Sequence, residues 1–309
     1  MSEIQSIQVS THGAELQSLI ANGREYLWQG DPAFWSRRAP ILFPIVGRLA
    51  DDTLRIGGKA YTMKQHGFAR DAEFVPLSFT ASFSCLGGWS LLPGQESIFM
   101  KMDSSKLIAN YPYDFDLKVR YAIFGNTLEV NWEVKNSGDN TMYFQIGAHP
   151  AFLLPYYDAN AAVHGYLRCY NKDGHTVLPV VTHRLENGLR KPLPQPSPLG
   201  HHSSNALIPI TNSTFANDAI LLEGCNIASI ALVDMSGKEV LRVSCSQAET
   251  FGLWAPNKPG CPFVCIEPWC GIADKEGFNG NIIERDCIHS LVAGKIYEFN
   301  YSIIIADKA

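Results

Sequence analysis

The sequence predicts an all-β protein, a large antiparallel β sandwich, from three observations. Short apolar-alternating runs recur along the whole chain. Gly, Asn and Pro turns separate them at short intervals. No stretch carries the sustained 3.6-residue apolar period of a long helix. All-β folds often reach 309 residues as one domain, so a single domain over residues 1–309 is expected.

The elements follow in order. Ile4 to Val9 alternates polar and apolar, Thr11-His12-Gly13-Ala14 turns, and Glu15 to Ile20 returns as a second strand. Ala21-Asn22-Gly23-Arg24-Glu25 is a hairpin turn, because Asn-Gly accepts positive φ at low cost. Glu25 to Trp28 is the next strand. Pro40 and Pro44 exclude a helix over Phe34 to Arg48. Leu54 to Met63 is a hairpin around Gly57-Gly58-Lys59. Strands are expected at Phe74 to Phe79, Ser97 to Met102, Asp116 to Phe124, Thr127 to Val134 and Met142 to Phe152, with Gly125-Asn126 closing one hairpin. Lys191 to Pro198 and the following His201-His202 form a surface loop rather than a linker. Ile227 to Asp234 and Glu239 to Ser244 make a hairpin around Ser236-Gly237-Lys238, and Tyr297 to Ile305 is the last strand.

Composition excludes several function classes. The net charge of -5 and the lack of a Lys/Arg block argue against nucleic acid and against a charged membrane surface. No segment reaches the eighteen or so apolar residues of a membrane helix. The first residues lack the basic-then-apolar layout of a signal peptide, so a cytoplasmic location is expected. The eight cysteines lie mostly within apolar runs and read as buried free thiols. Cys261, Cys265 and Cys270 cluster without a C-x-x-C pair, a weak zinc signal. With no P-loop and no dinucleotide fingerprint, the expected chemistry needs no cofactor.

The strongest chemical signal is Cys265-Ile266-Glu267-Pro268-Trp269-Cys270-Gly271-Ile272-Ala273-Asp274, where an apolar run leads into a carboxylate with an aromatic neighbour. Pro268 fixes φ and removes a donor, so sheet pairing is expected to stop at Glu267. Glu267 is then either a general base over a small polar ligand or a strand-end carboxylate paired with Arg. Gly147-Ala148-His149-Pro150-Ala151-Phe152 repeats the arrangement, with His149 before a proline at a strand end. His66 precedes a glycine in Gln65-His66-Gly67-Phe68-Ala69-Arg70, where an imidazole can reach a cleft or serve structure alone. Arg48 ends an apolar run and Asp218 precedes one; a surface ion pair and a turn cap are their simpler roles. Trp254, Trp269 and Phe68 are candidates to stack on the apolar face of a sugar ring.

Together with Pro40-Ile41-Leu42-Phe43-Pro44-Ile45-Val46-Gly47-Arg48, these motifs resemble the aldose 1-epimerases, the galactose mutarotase family, over nearly the whole chain. The likeness is to the mutarotase-related branch. It implies a large antiparallel β supersandwich of the galactose mutarotase type. It also implies an isomerase without cofactor or metal that interconverts α and β anomers of a hexose. By the resemblance Glu267 is the catalytic base, His149 the general acid, and His66, Arg48, Asp218 and Trp269 are substrate-binding. The chain departs from the family where Val-Gly-Arg-Leu replaces Ala-Asn-Arg-Ile, and where His-Gly-Phe replaces His-Gly-Gly, which puts galactose specificity in doubt.

Two alternatives share the fold. A hexose 6-phosphate substrate would use Arg37, Arg38 and Arg70 for the phosphate. A non-catalytic carbohydrate-binding protein would bind sugar without accelerating anything. The expected partner is a small sugar, hexose or hexose phosphate, on a monomer or homodimer.

Overall fold

The computed structural model describes residues 2–77, 82–84, 88–92, 98–102, 110–179, 181–191, 195–196, 207–223 and 226–307. Cys85, Cys225, His201, His202 and most of the Pro-rich loop after Lys191 lie outside the described residues. Among those described, helix is confined to single 3-10 turns at Ala50–Asp52, Ala69–Asp71 and Ile282–Glu284. The rest of the regular structure is antiparallel sheet, in the large β sandwich that the sequence predicts.

A ten-stranded sheet centres on Phe115–Phe124, Thr127–Asn136 and Ile296–Ile305. The first two pair residue for residue, from Phe115 opposite Asn136 to Phe124 opposite Thr127. Their burial alternates, as a two-residue period requires when one face meets the core. Leu117, Val119, Val130, Trp132, Phe299 and Ile303 form that inner face.

A nine-stranded sheet packs its own inner face into the same hydrophobic cluster. Its middle runs Ile220–Glu223, Thr250–Trp254, Phe263–Cys270 and Ile146–Ala148, ending on Ile41–Leu42. All eight residues of Phe263–Cys270 are buried, because this strand is covered on both faces. Val264, Ile266 and Cys270 join the core shared with the ten-stranded sheet. Phe263, Cys265 and Trp269 lie in separate clusters on the opposite face, and Glu267 shares their side of the pleat.

The expectation that pairing stops at Glu267 holds on one flank only. Toward Thr250–Trp254 the ladder continues, with Gly252 opposite Glu267 and Thr250 opposite Trp269. On the other flank Gly147 opposes Trp269 and Ala151 opposes Cys265, leaving a break at His149-Pro150. Ile266 donates its N–H to Pro150 across that flank, at 3.2 Å. Two residues on, position 268 points the same way and needs no donor, so a proline fits mid-strand.

Candidate active site

The break at His149-Pro150 lets His149 reach the carboxylate. Its Nε2 lies 3.2 Å from Oε2 of Glu267. Glu267 is 1% exposed and His149 7%. The contact is not aligned as a hydrogen bond, and Glu267 Oε2 has no hydrogen-bond partner among the described residues; nor does His149 Nδ1, the other ring nitrogen. Burial pushes the Glu267 carboxyl well above the usual carboxylate range; the Trp269 indole opposes this and Asp218 adds to it. Burial, with Arg70 and Arg37 contributing, pulls His149 down to about 3, against a smaller backbone term that raises it. Both charges are disfavoured for the same reason, desolvation, which favours the neutral carboxyl and the neutral imidazole.

The imidazole of His149 lies against Trp35, centroids 4.9 Å apart and planes tilted by 30°, and meets Trp254 and His66 edge-on. These rings wall a cleft of about 370 Å³ that also takes in Arg48, Gln65, Arg70, Asp218, Trp269 and the Asn187-Gly188 turn. All six residues anticipated from sequence reach it. Of the three aromatics expected to stack on sugar, Trp254 and Trp269 line the cleft. Phe68 instead packs into the core against Phe43, Tyr111 and Phe115. Trp35 takes the third place, held by Trp28 Nε1 donating to its carbonyl at 2.8 Å.

The segments around Phe43 to Arg48 and Gln65 to Arg70, remote in sequence, clasp each other. His66 donates its N–H to the Gly47 carbonyl at 2.8 Å, and Phe68 donates to Phe43 at 3.0 Å. Gly67 sits so close to Phe43 that an added Cβ would lie 2.3 Å from its carbonyl oxygen. Gly47 N–H donates to His66 Nδ1 at 3.1 Å. Nδ1 is therefore an acceptor, and the neutral ring carries its hydrogen on Nε2, 3.3 Å from the Gln65 side-chain amide, which presents its oxygen to this N–H in the consistent amide orientation. Burial, helped by His149, Arg70 and Arg37, holds the His66 pKa well below the usual range. His66 thus offers the cleft a neutral N–H donor, from a backbone held at φ 66°.

Arg48 and Asp218 reach the cleft with much of their bonding capacity used. Arg48 grips Asp52 through Nε and Nη2 at 2.9 and 3.2 Å, and Nη1 donates to the Asn187 carbonyl at 3.0 Å. Asp218 accepts from Gly188 N–H at 3.3 Å and Ala219 N–H at 2.8 Å. Arg70 is the more available cation. Its Nη2 donates to the Gln65 carbonyl at 2.6 Å, and its buried Nε makes no hydrogen bond, with an Asp71 oxygen 4.0 Å away. Burial and Arg37 pull it down to about 10. The three-arginine phosphate cradle is not assembled. Arg37 is engaged with Asp71 at 2.5 Å, and Arg38 with the Gln17 carbonyl at 2.6 Å.

The rest of the Glu267 motif is support. Asp274 accepts from Arg285 Nε at 2.7 Å and from Ala50 N–H at 3.1 Å, and its own N–H donates to the Arg48 carbonyl at 3.1 Å. Gln145 bridges the same region, its amide nitrogen donating to the Ile272 and Asp286 carbonyls at 3.2 and 3.0 Å. Among the described cysteines Cys169, Cys245, Cys265 and Cys270 are buried and Cys261 and Cys287 half-buried. Cys261, Cys265 and Cys270 do not converge on one metal-sized group among the described residues. No described helix is long and apolar enough to cross a membrane.

Fold and site define a class: an all-β protein with a desolvated carboxyl–imidazole pair at the floor of an aromatic-walled cleft. The chain belongs to the aldose 1-epimerase family, whose sequence profile matches residues 3–303. It is 29% identical over 289 residues to the chromosomal protein LacX of Lactococcus lactis subsp. lactis, covering 91% of this chain and 90% of that one. Among solved structures it resembles a galactose mutarotase related enzyme from Lactobacillus acidophilus (TM-score 0.83, 30% identity, 99% of this chain and 95% of that one). A galactose mutarotase-like protein from Lactobacillus casei ATCC 334 shares the fold, with TM-score 0.84 at 24% identity over 98% of this chain and 97% of that one.

Proposed function

We propose that this protein is an aldose 1-epimerase that interconverts the α and β anomers of an unphosphorylated hexose by opening and reclosing the ring. The observation that carries the reading is the buried His149–Glu267 contact of 3.2 Å, opening onto a cleft large enough for one sugar. Mutarotation needs one group to take the proton of the anomeric hydroxyl while another gives a proton to the ring oxygen. A pair holding one proton between two neighbouring bases has the right stoichiometry.

Burial favours that proton on Glu267 over the imidazole. Entry of a sugar brings hydroxyls that hydrogen-bond the charged forms, and the proton crosses to His149. Glu267 then removes the anomeric proton and His149 protonates the ring oxygen. The C1–C2 bond of the free aldehyde turns by about half a revolution before the roles reverse and the ring closes on the other face. The His66 Nε2–H and Arg70 donate to ring and hydroxyl oxygens where negative charge develops. Trp35, Trp254 and Trp269 cover the apolar face of the ring and exclude water. Arg48 acts mainly through Asp52 and the Asn187 carbonyl, holding the cleft edge. The engagement of Arg37 and Arg38 elsewhere supports the unphosphorylated substrate.

Polarimetry of freshly dissolved α-glucose and α-galactose tests the reading. The wild type should accelerate equilibration, and Glu267→Gln should lower the rate by about 10²–10⁴-fold. Sugar binding without any acceleration would make the protein a carbohydrate binder instead. Acceleration only with glucose 6-phosphate would restore the phosphorylated substrate.

A further inference from the structure

We infer that His149, Cys265 and Glu267 form a binding site for a thiophilic divalent cation such as Zn²⁺, and that its occupation switches the acid–base pair off. The donor atoms of these three buried residues, an imidazole nitrogen, a thiol sulfur and a carboxylate oxygen, all lie within 4.8 Å of one another. Cys265 and Glu267 are two residues apart on one strand and so share one side of its pleat. His149 comes to them from the break opposite. Glu267 Oε2 is buried without a hydrogen-bond partner among the described residues and faces His149 Nε2, so lone-pair capacity is left over at this spot.

The geometry is close to what zinc takes. Metal–ligand distances of about 2.0–2.3 Å in a tetrahedron put donor atoms roughly 3.5 Å apart. The His149–Glu267 edge already measures 3.2 Å. The edges to sulfur, at most 4.8 Å, must close by up to about 1.3 Å, which rotation of a Cys side chain with small shifts of its neighbours supplies. A nitrogen, sulfur and oxygen set selects zinc, cobalt or copper over magnesium and calcium, which take oxygen. Binding releases the thiol proton of Cys265 and the carboxyl proton of Glu267, while neutral His149 gives a lone pair. The dication is thereby neutralised, and one coordination position remains for water or a sugar hydroxyl. Cys265 plays no part in the proposed proton transfers; without a metal it fills space beside Trp28, Ala151 and Phe263.

The site itself is independent of the proposed reaction, whereas its inhibitory effect rests on that reading, so the test has two arms. In the first, chelator-treated full-length protein is titrated with Co²⁺. One equivalent should produce a near-ultraviolet sulfur-to-cobalt charge-transfer band that Zn²⁺ displaces and that Cys265→Ala lacks. In the second, Zn²⁺ should slow polarimetric mutarotation by the wild type, and EDTA should reverse it. Cys265→Ala should keep the basal rate and need at least about tenfold more zinc. If Cys265→Ala does not fold, Glu267→Gln must weaken cobalt binding of the otherwise intact protein by a similar factor. Absence of the thiolate band in the wild type, or its persistence in Cys265→Ala, overturns the site. A cobalt band in a protein that catalyses no mutarotation leaves the site standing and removes the proposed function.

Discussion

His149 gives a direct reading of how strongly this cleft resists charge. Its pKa in the fold is about 3, against an ordinary value near 6.5 in the unfolded chain. The sign follows from linkage. A histidine whose folded pKa is depressed destabilises the fold as pH falls below 6.5, because the unfolded chain takes up a proton that the fold refuses. The loss grows down to the folded pKa. At pH 4 about 2.5 units of the interval have been crossed, which at about 1.36 kcal/mol per unit is roughly 3 kcal/mol. Glutamine at this position never charges. The measurement is reversible urea unfolding at pH 7 and pH 4 for wild type and His149→Gln, comparing the two pH-dependent losses. Contributions from carboxyls remote from the cleft enter both chains and cancel to first order, and repeating the comparison in a Glu267→Gln background removes the one that does not. Wild type should lose about 3 kcal/mol more than the variant on acidification. Equal losses within about 1 kcal/mol would refute a desolvated neutral imidazole. A reversed difference would mean a standing ion pair with Glu267, since a raised histidine pKa stabilises the fold at low pH.

Other perturbations probe the surrounding structure. Asp274→Ala strands the buried guanidinium of Arg285, now 2.7 Å from that carboxylate, and should cost about 3–5 kcal/mol in urea unfolding. Gly147→Ala places a Cβ 2.7 Å from Trp269 Cδ1 and 3.0 Å from Val46 Cγ1. It should destabilise by about 1–3 kcal/mol and lower kcat/KM for any sugar reaction by displacing the indole. Arg70→Met removes a cation that disfavours the protonated form of His149, so the His149 pKa should rise from about 3, seen by NMR titration of the ring. Arg48→Met should leave that titration unchanged, because the Arg48 charge is matched by Asp52.

The fold was legible because its signals are local. Asn-Gly and Gly-Gly turns between alternating runs mark hairpins wherever one face is wet, as in Phe115–Phe124 with Thr127–Asn136. Boundaries drifted where pairing depends on partners distant in sequence. Pro268 reads as a strand end, yet the strand runs to Cys270 because the flank it faces is already interrupted at His149. The candidate site was legible where a polar residue interrupts an apolar run, at Glu267, His149 and His66. Trp35, Gln65 and the Asn187-Gly188 turn were not, because they belong to irregular segments placed by tertiary bonds such as Trp28 to Trp35. Phe68 misled for the converse reason. Beside a glycine turn it reads as exposed, but the clasp between Gly67 and Phe43 turns it into the core. The simpler role offered for Arg48, a surface ion pair, is one it does fill, with Asp52 as the partner.

The strand Phe263–Cys270 explains why so much chemistry gathers in one stretch. A strand covered on both faces needs apolar residues on each, and here the core side supplies them at Val264, Ile266 and Cys270. The cleft side carries Phe263, Cys265, Glu267 and Trp269, so a lone carboxyl sits in a row of groups that solvate charge poorly. Its neighbour across the break is the one base in reach, and that base is equally desolvated. Neither partner can hold a charge alone at low cost, so the stable states of the pair contain one proton. That condition suits a reaction in which a proton enters and another leaves in the same turnover. It equally leaves the pair open to a dication, which replaces the proton and satisfies the lone pairs of both partners at once. The proposed catalysis and the proposed metal sensitivity thus draw on one buried, under-bonded pair, and a substitution that hydrates the cleft should weaken both together.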